Sequence, residues 1–555
     1  MEGPGTGISA HIDTFARDNL PPADLLPEMD YSGLPALAYP DRLNCGVELL
    51  DRMCEQGHAD SPVLHMGEVT WTYAELRDKA DRIAKVLTRD MGVVPGNRVL
   101  LRGPNNPMMV ACWFGIVRAG AIVVATMPLL RAKELAYIVE KADIRHGLCD
   151  ARLAEEFDLT RQAAPRLDTT MLFTALGDGD APLDAAMAAQ APGFKPVETA
   201  ADDVVLIAFT SGTTGPAKGT MHFHRDVLAI CDTFAGPVVG VRPDDVFCGS
   251  PPLAFTFGLG ALVCFPMRFG ASTVMVEQFG PTTMLETVAR HGVTGIYTAP
   301  TAYRAMVPHV KNFDLSTLRL CVSAGEHLPK PTWEAWHAAT GIRIIDGIGA
   351  TELLHIFISA AGDAIRPGST GVPIPGFQAR IVDSEGDPLP VGEQGWLAVR
   401  GPTGCRYLDN LERQRGYVKQ GWNITGDIYR MDQDGYFWYV ARGDDMIISS
   451  GYNISGPEVE ECLLAHADVA ECAVVASPDP ERGAIVKAFV VLHDGVDDTP
   501  ETVKRLQDHV KAAIAPYKYP RVIEFRDALP KTQTGKLQRF RLRQEELDHA
   551  DPHGA

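Results

Sequence analysis

No run of 18 apolar residues occurs in the 555-residue chain, so no segment has the length of a membrane-spanning helix. The longest apolar stretches, such as 119–127, are the length of a strand. The opening residues hold no basic stretch followed by an apolar one, which argues against a secretory leader. No cysteines form a CxxC pair and no Cys/His cluster has zinc spacing. The 11 cysteines, scattered from Cys45 to Cys472, read as buried, reduced thiols of a cytoplasmic protein. Positive charge is in deficit, with 51 Lys and Arg against 71 Asp and Glu, a net charge of -20. Such a field repels nucleic acid and anionic membrane surfaces, and an anionic substrate needs a locally positive pocket. Internal repeats and low-complexity tracts are missing as well.

Hydrophobic residues make up 46% and charged residues 22%, which are the proportions of a globular chain with a large core. The length predicts two or three domains. The first ~45 residues, rich in Pro, Asp and Ala, show no period and read as an irregular arm. Over 73–88, Leu76, Ala80, Ile83, Ala84 and Leu87 recur at helical spacing. A strand at 98–102, a helix at 107–118, a strand at 121–125 and a helix at 132–141 then alternate as βαβ, the pattern of a parallel sheet. The Ala-, Pro- and Asp-rich stretch 178–201 reads as a surface connection, and 204–209 as a buried strand. Alternation resumes over 295–345, and 371–400 reads as a small β subdomain. A second unit begins near Gly443. It holds a helix opening at Ser455 with Glu458 three residues on (a capping box), strands at 471–476 and 485–493, and a helix at 502–513. The expected class is α/β: a large N-terminal domain (1–443) of β/α layers plus a small β subdomain, with a small mobile α+β C-terminal domain (444–555).

The most informative segment follows the 204–209 strand: Thr210, Ser211, Gly212, Thr213, Thr214, Gly215, Pro216, Ala217, Lys218, Gly219. Glycines let backbone N–H groups approach an anion, hydroxyls donate hydrogen bonds, and lysine supplies charge. This is a phosphate loop. It is not a Walker A loop, because Lys218 lacks a Gly before it and a Ser or Thr after it. A flexible surface turn is the bland alternative, and the density of hydroxyls plus a lysine weighs against it.

The loop resembles the T-S-G-T-T-G-x-P-K-G hallmark of the adenylate-forming superfamily: acyl- and aryl-CoA ligases, luciferases and peptide-synthetase adenylation domains. Pro216 stands one place earlier than in the hallmark. The resemblance runs from about residue 74 to 539. Asp346, Gly347, Ile348, Gly349, Ala350, Thr351 and Glu352 look like Y-G-x-T-E, with Ile348 in place of the adenine-stacking tyrosine. The resemblance implies that Glu352 is a Mg²⁺ ligand, suited as a hard oxygen donor, and that Thr351 contacts phosphate. Ser323, Ala324, Gly325, Glu326 and His327 resemble the loop that offers backbone groups to adenine. Thr425, Gly426 and Asp427 resemble T-G-D, which implies that Asp427 accepts from both ribose hydroxyls. Arg442-Gly443-Asp444 and 450–460 resemble the hinge motif. They imply nucleotide contact for Arg442, an interdomain hinge at Asp444, and a pantetheine passage at Gly451. Pro530 to Arg539 resemble P-K-T-x-x-G-K-x-x-R, which implies that Lys536 is the catalytic lysine.

The family's chemistry, carried over, is attack of a carboxylate on the α-phosphate of ATP to give an acyl-adenylate, then transfer to a thiol. The implied cofactors are ATP, Mg²⁺ and CoA, with a small carboxylic acid as the other partner. Lys511, Lys518 and Arg521 are candidates for the nucleotide end of CoA. The segment 251–260, with its Phe255, Thr256 and Phe257, and the residues His355 and Ile356 resemble benzoate–CoA and 2-aminobenzoate–CoA ligases. With Ala324, Ile348 and Gly349 they are the expected acid pocket. His355 reads equally as a satisfied structural histidine. A peptide-synthetase module is disfavoured because no Asp near Phe255 would pair with a substrate ammonium. Alternatives are a medium- or long-chain acyl-CoA ligase, a ligase loading an acyl-carrier protein, and a nucleotide-binding pseudoenzyme. Acetylation of Lys536 would remove its charge and act as an off switch.

Overall fold

A computed structural model describes residues 9–210, 217–443, 445–449, 452–479, 482–531 and 537–550. Among these, two large sheets dominate the N-terminal unit. The first runs in the order Thr169–Phe173, His146–Asp150, Arg98–Arg102, Ile122–Thr126, Val204–Thr210, Lys218–Phe223. Its members are parallel except the last pair, Val204–Thr210 and Lys218–Phe223, which is antiparallel. The second has nine strands. It is parallel through Leu320–Ala324, Gly295–Thr298, Val246–Gly249 and Ser272–Val274, and closes with antiparallel edges on both sides.

Between them sits the helix Pro107–Arg118, which packs against strands of both sheets. All twelve of its residues are buried, as befits a helix apolar on every face. Its start is fixed by Pro107 in the first turn and by the Asn106 side chain, which accepts from the Met109 N–H at 2.9 Å. The helix Tyr73–Lys85 opens on a full capping box made by Thr72 and Glu75. It buries Leu76, Ala80, Ile83 and Ala84 as the period predicts, at about 1.5–3 kcal/mol for each large aliphatic side chain.

The stretch read as a surface connection is partly structural. Pro182–Ala189 is a helix with Leu183 and Met187 in the main core, because alanine-rich sequence with apolar residues at i and i+4 buries a stripe as readily as it exposes one. The irregular arm holds only short turns. It is tied down by buried Arg98, which pairs with Asp13 at 2.5 Å and Asp143 at 2.9 Å.

The β subdomain comprises Gln378–Val382, Gln394–Arg400, Trp422–Met431, Val418–Lys419 and Phe437–Arg442. The C-terminal unit has a three-stranded sheet, Val469–Asp479, Gly483–Leu492 and Val522–Phe525, and its own core around Ile447, Val459, Leu463, Val474, Val490 and Leu506. The capping box there is half made. Ser455 accepts from the Glu458 N–H at 3.2 Å, but the Glu458 carboxylate turns to Lys518 at 2.7 Å. No helix among the described residues is long and apolar enough to cross a membrane.

Candidate active site

In open α/β sheets ligands sit beyond the carboxyl ends of the strands, and Thr210, Ala324 and Gly349 of the motifs end the strands Val204–Thr210, Leu320–Ala324 and Ile344–Gly349. Thr210 ends its strand directly opposite Lys218, so the phosphate loop is the connection of an antiparallel pair. Ser211, Gly212, Thr213, Thr214 and Gly215 lie outside the described residues. Lys218 is half-buried and its pKa is lowered, by burial first, then by Arg413, with Glu352 pulling the other way and Arg442 adding to the lowering. Lys218 thus feels two other cations, Arg413 and Arg442, as well as the Glu352 carboxylate.

Glu352 lies in a short turn, Thr351–Leu353, whose Leu353 carbonyl accepts from the Thr403 hydroxyl at 2.7 Å. The next residue, buried Leu354, is held at φ 69°, a left-handed conformation costly for leucine. Tyr407 Oη donates to Glu352 Oε1 at 2.5 Å. Burial and the Glu352 charge raise the Tyr407 pKa, so the phenol stays a donor. Sequence reasoning missed Tyr407, since 55 residues separate the partners and no spacing rule links them.

Asp427 is not in a free turn. It is inside the strand Trp422–Met431, opposite Arg442 in the register, and the two side chains pair at 3.2 Å. Burial raises the Asp427 pKa while Arg442 opposes the rise. Asp346 is opposite Ser323 across adjacent strands. Burial pushes its pKa up to about 7, against the Ser323 hydroxyl and the Gly347 N–H. Gly325 takes φ 92°, the left-handed region glycine tolerates. Glu326 Oε1 accepts from the Leu537 N–H at 3.1 Å. His327 stacks on Tyr439 with ring centroids 5.1 Å apart, and burial, then Arg539, lower its pKa to about 4.

The residues of the expected acid pocket border a buried aromatic cluster. Phe255 precedes the helical turn Thr256–Leu259. Asn105 holds the approach, donating to the Pro251 carbonyl at 3.0 Å and accepting from the Leu253 N–H at 2.8 Å. A Cβ on Gly258 would sit 2.1 Å from the Pro252 carbonyl oxygen, so only glycine allows this turn. Phe257 lies 5.7 Å from the His355 ring, and Phe265 4.5 Å on another side. His355 is 3% exposed, and burial lowers its pKa to about 3, opposed by the Phe257 backbone. It is a neutral ring in an aromatic cluster rather than a cation for a carboxylate. Ala324, Thr256 and Ile356 are buried; Ile348 is half-buried and Gly349 exposed. A Cβ on Gly349 would meet the His355 backbone at 2.8 Å.

Lys536, Asp444 and Gly451 lie outside the described residues. Of the CoA candidates, Lys518 is engaged by Glu458, while Lys511 and Arg521 flank the Tyr519 ring. The 11 cysteines are all free.

Residues 50–407 match the family described as AMP-binding enzyme, and 458–536 match its C-terminal domain. The benzoate–CoA ligase of Thauera aromatica is 35% identical over 514 residues, which is 92% of this chain and 97% of that protein. The crystal structure of the anthranilate CoA ligase AuaEII in complex with anthranoyl-AMP superposes with a TM-score of 0.88 at 35% identity, covering 93% of this chain and 100% of that one. A benzoate CoA ligase from Burkholderia xenovorans LB400 superposes with a TM-score of 0.82 at 31% identity, covering 90% and 100%. The chain belongs to the AMP-binding enzyme family.

Proposed function

We propose that the protein is an ATP-dependent aryl acid–CoA ligase. The observation that carries the reading is the pairing of Asp427 with Arg442 at 3.2 Å, with the Glu352 charge acting on both Asp427 and Lys218. The aromatic cluster of Phe257, Phe265 and His355 gives the expected acid-binding region an apolar backing suited to a flat apolar acid. Relatives named for benzoate and anthranilate support it.

In the first half-reaction a carboxylate oxygen of the acid bonds to the α-phosphorus of ATP, and the bond from that phosphorus to the bridging oxygen breaks, releasing pyrophosphate. Both partners are anions, so the protein's work is charge neutralisation and positioning. Lys218 supplies charge, and the hydroxyls and glycines of 210–215 supply donors, to the leaving pyrophosphate. Thr351 contacts phosphate, Asp427 receives the ribose hydroxyls, Arg442 holds Asp427 and the nucleotide, and Lys536 bridges the carboxylate and α-phosphate. Gly325, Asp346, Gly347 and Ile348 flank the base, and Glu326 offers its backbone rather than its side chain. In the second half-reaction the CoA thiolate adds to the acyl carbon, the carbon–oxygen bond to AMP breaks, and AMP leaves. The C-terminal domain (444–555) rotates about Asp444 against the N-terminal domain (1–443) between the steps, bringing Gly451 to the site.

Glu352 fits a magnesium ion. It offers hard oxygen atoms, and Tyr407 occupies only one of them. Mg²⁺ supplies neutralisation of phosphate charge. Reduced thiols and these substrates fit the cytoplasm.

The test is acid-dependent AMP formation with ATP, Mg²⁺ and CoA across benzoate, 2-aminobenzoate, 4-hydroxybenzoate, acetate and octanoate. Preference for an aryl acid, abolished in Lys536→Ala, is the expected result. Preference for octanoate would remove the aryl assignment and keep the chemistry. No AMP with any acid would remove the ligase reading for this panel.

A further inference from the structure

The loop between the strand Leu320–Ala324 and the helix Lys330–Thr340 is expected to present backbone groups to a base, yet one of its side chains reaches elsewhere. Glu326 Oε1 accepts from the backbone N–H of Leu537 at 3.1 Å, across 211 residues of sequence. Leu537 closes a small stem. It bridges Lys531 in antiparallel fashion, and the neighbouring Gln538 N–H donates to the Pro530 carbonyl at 2.8 Å. Lys536 is the residue covalently before Leu537. The large unit thus grips the C-terminal loop at its stem, one peptide bond from the lysine.

Other contacts hold the body of the C-terminal unit. Arg304 donates to the Val469 carbonyl at 3.2 Å, and Glu461 faces the backbone N–H and charge of Lys330. Arg539, two residues past Leu537, is fixed by Glu460 at 2.6 Å and lends charge to the His327 and Tyr439 pair. These contacts dock the unit as a whole. Glu326 differs in holding the loop stem itself, through a charge-assisted bond of the stronger kind.

We propose that Glu326 is a positioning residue. Its carboxylate latches the Leu537 amide so that the loop bearing Lys536 is presented for adenylation, and the bond breaks when the C-terminal unit turns for thioester formation. The proposal rests on the ligase reading above. It gives the Glu326 side chain a duty in one half-reaction only.

The test compares full-length wild type, Glu326→Ala and Glu326→Gln in three measurements: acid-dependent ATP–pyrophosphate exchange with the best acid of the panel, thioester formation from supplied aryl-AMP and CoA, and amide hydrogen exchange of the substrate-free protein at a peptide containing Leu537. Loss of the charge-assisted bond to Leu537, biasing a two-state equilibrium, predicts a fall of at least about tenfold in pyrophosphate exchange for Glu326→Ala. Thioester formation should hold within about twofold. Glu326→Gln, which keeps an acceptor oxygen, should recover most of the rate. Amide exchange at Leu537 should quicken in Glu326→Ala and less in Glu326→Gln. Equal losses in both half-reactions, or no loss in either, would overturn the proposal. A wild type that forms no aryl-adenylate removes the ligase reading instead. Hydrogen exchange still decides the latch in that case: unchanged protection at Leu537 overturns it and faster exchange upholds the grip.

Discussion

Tyr407→Phe should weaken the use of magnesium without harming the fold. The hydroxyl donates to Glu352 Oε1 at 2.5 Å, and the Tyr407 ring is buried with 1% exposure. A hydrogen bond to a charged group contributes about 1.5–3 kcal/mol. Glu352 is only half-buried, so water replaces part of the lost bond and about 1–2 kcal/mol remains. That is about five- to thirty-fold. It should show as a higher Mg²⁺ concentration for half-maximal AMP formation, because the carboxylate loses the partner that fixes its rotamer. The ring still fills its site beside Tyr417, 5.8 Å away, so thermal unfolding should move by no more than a few degrees. Tyr417→Phe is the control: its hydroxyl is buried without a hydrogen-bond partner among the described residues, so its removal should leave the Mg²⁺ titration unchanged. Titrations of Tyr407→Phe that overlay wild type would refute the view that Tyr407 orients Glu352.

Asp346 carries a folded pKa of about 7 against an ordinary 3.8. The folded state therefore keeps a proton that the unfolded state releases, and stability from this group falls as pH rises from about 4 to about 7. Wild type minus Asp346→Asn, followed by urea unfolding, should show that downward slope and flatten above it; a rising difference would contradict the assignment. Arg406 and Asp226 form a buried pair at 2.7 Å, so Arg406→Met should cost about 3–5 kcal/mol by stranding the carboxylate. Adding Asp226→Asn should recover much of the loss in the same chemical unfolding assay. A Cβ on Gly260 would lie 2.4 Å from His355 Cδ2. Gly260→Ala should thus push the imidazole out of its aromatic slot, lowering stability by about 1–3 kcal/mol and raising KM for the acid more than KM for ATP.

The alternation of elements was legible because periodicity is a local property. The helix Pro107–Arg118 and the strand Arg98–Arg102 have the bounds that their apolar pattern and prolines predict. The stretch 178–201 was misread in part because composition is blind to which alanines meet a core. Thr-Gly-Asp looks like a turn in isolation. It becomes part of a strand because Arg442 and Gln394–Arg400 flank it as partners, and pairing across a sheet is tertiary context that overrides local propensity.

The site divides along the same line. Residues that a motif carries, such as Lys218, Glu352 and Asp427, could be named one at a time from the sequence. What links them is that, in a chain of net charge -20, Lys218 feels the charges of Arg413, Glu352 and Arg442. Those residues come from segments about 200 residues apart, so no window of sequence contains them all. The same holds for Tyr407 on Glu352, Asn105 on the Pro251 turn, and Glu326 on Leu537. Each is a polar group satisfied across a long separation, and burial demands such partners without local pattern saying which. Motifs mark the atoms that meet the substrate. The groups that aim those atoms are chosen by packing, and there the structure adds what sequence reading could not reach.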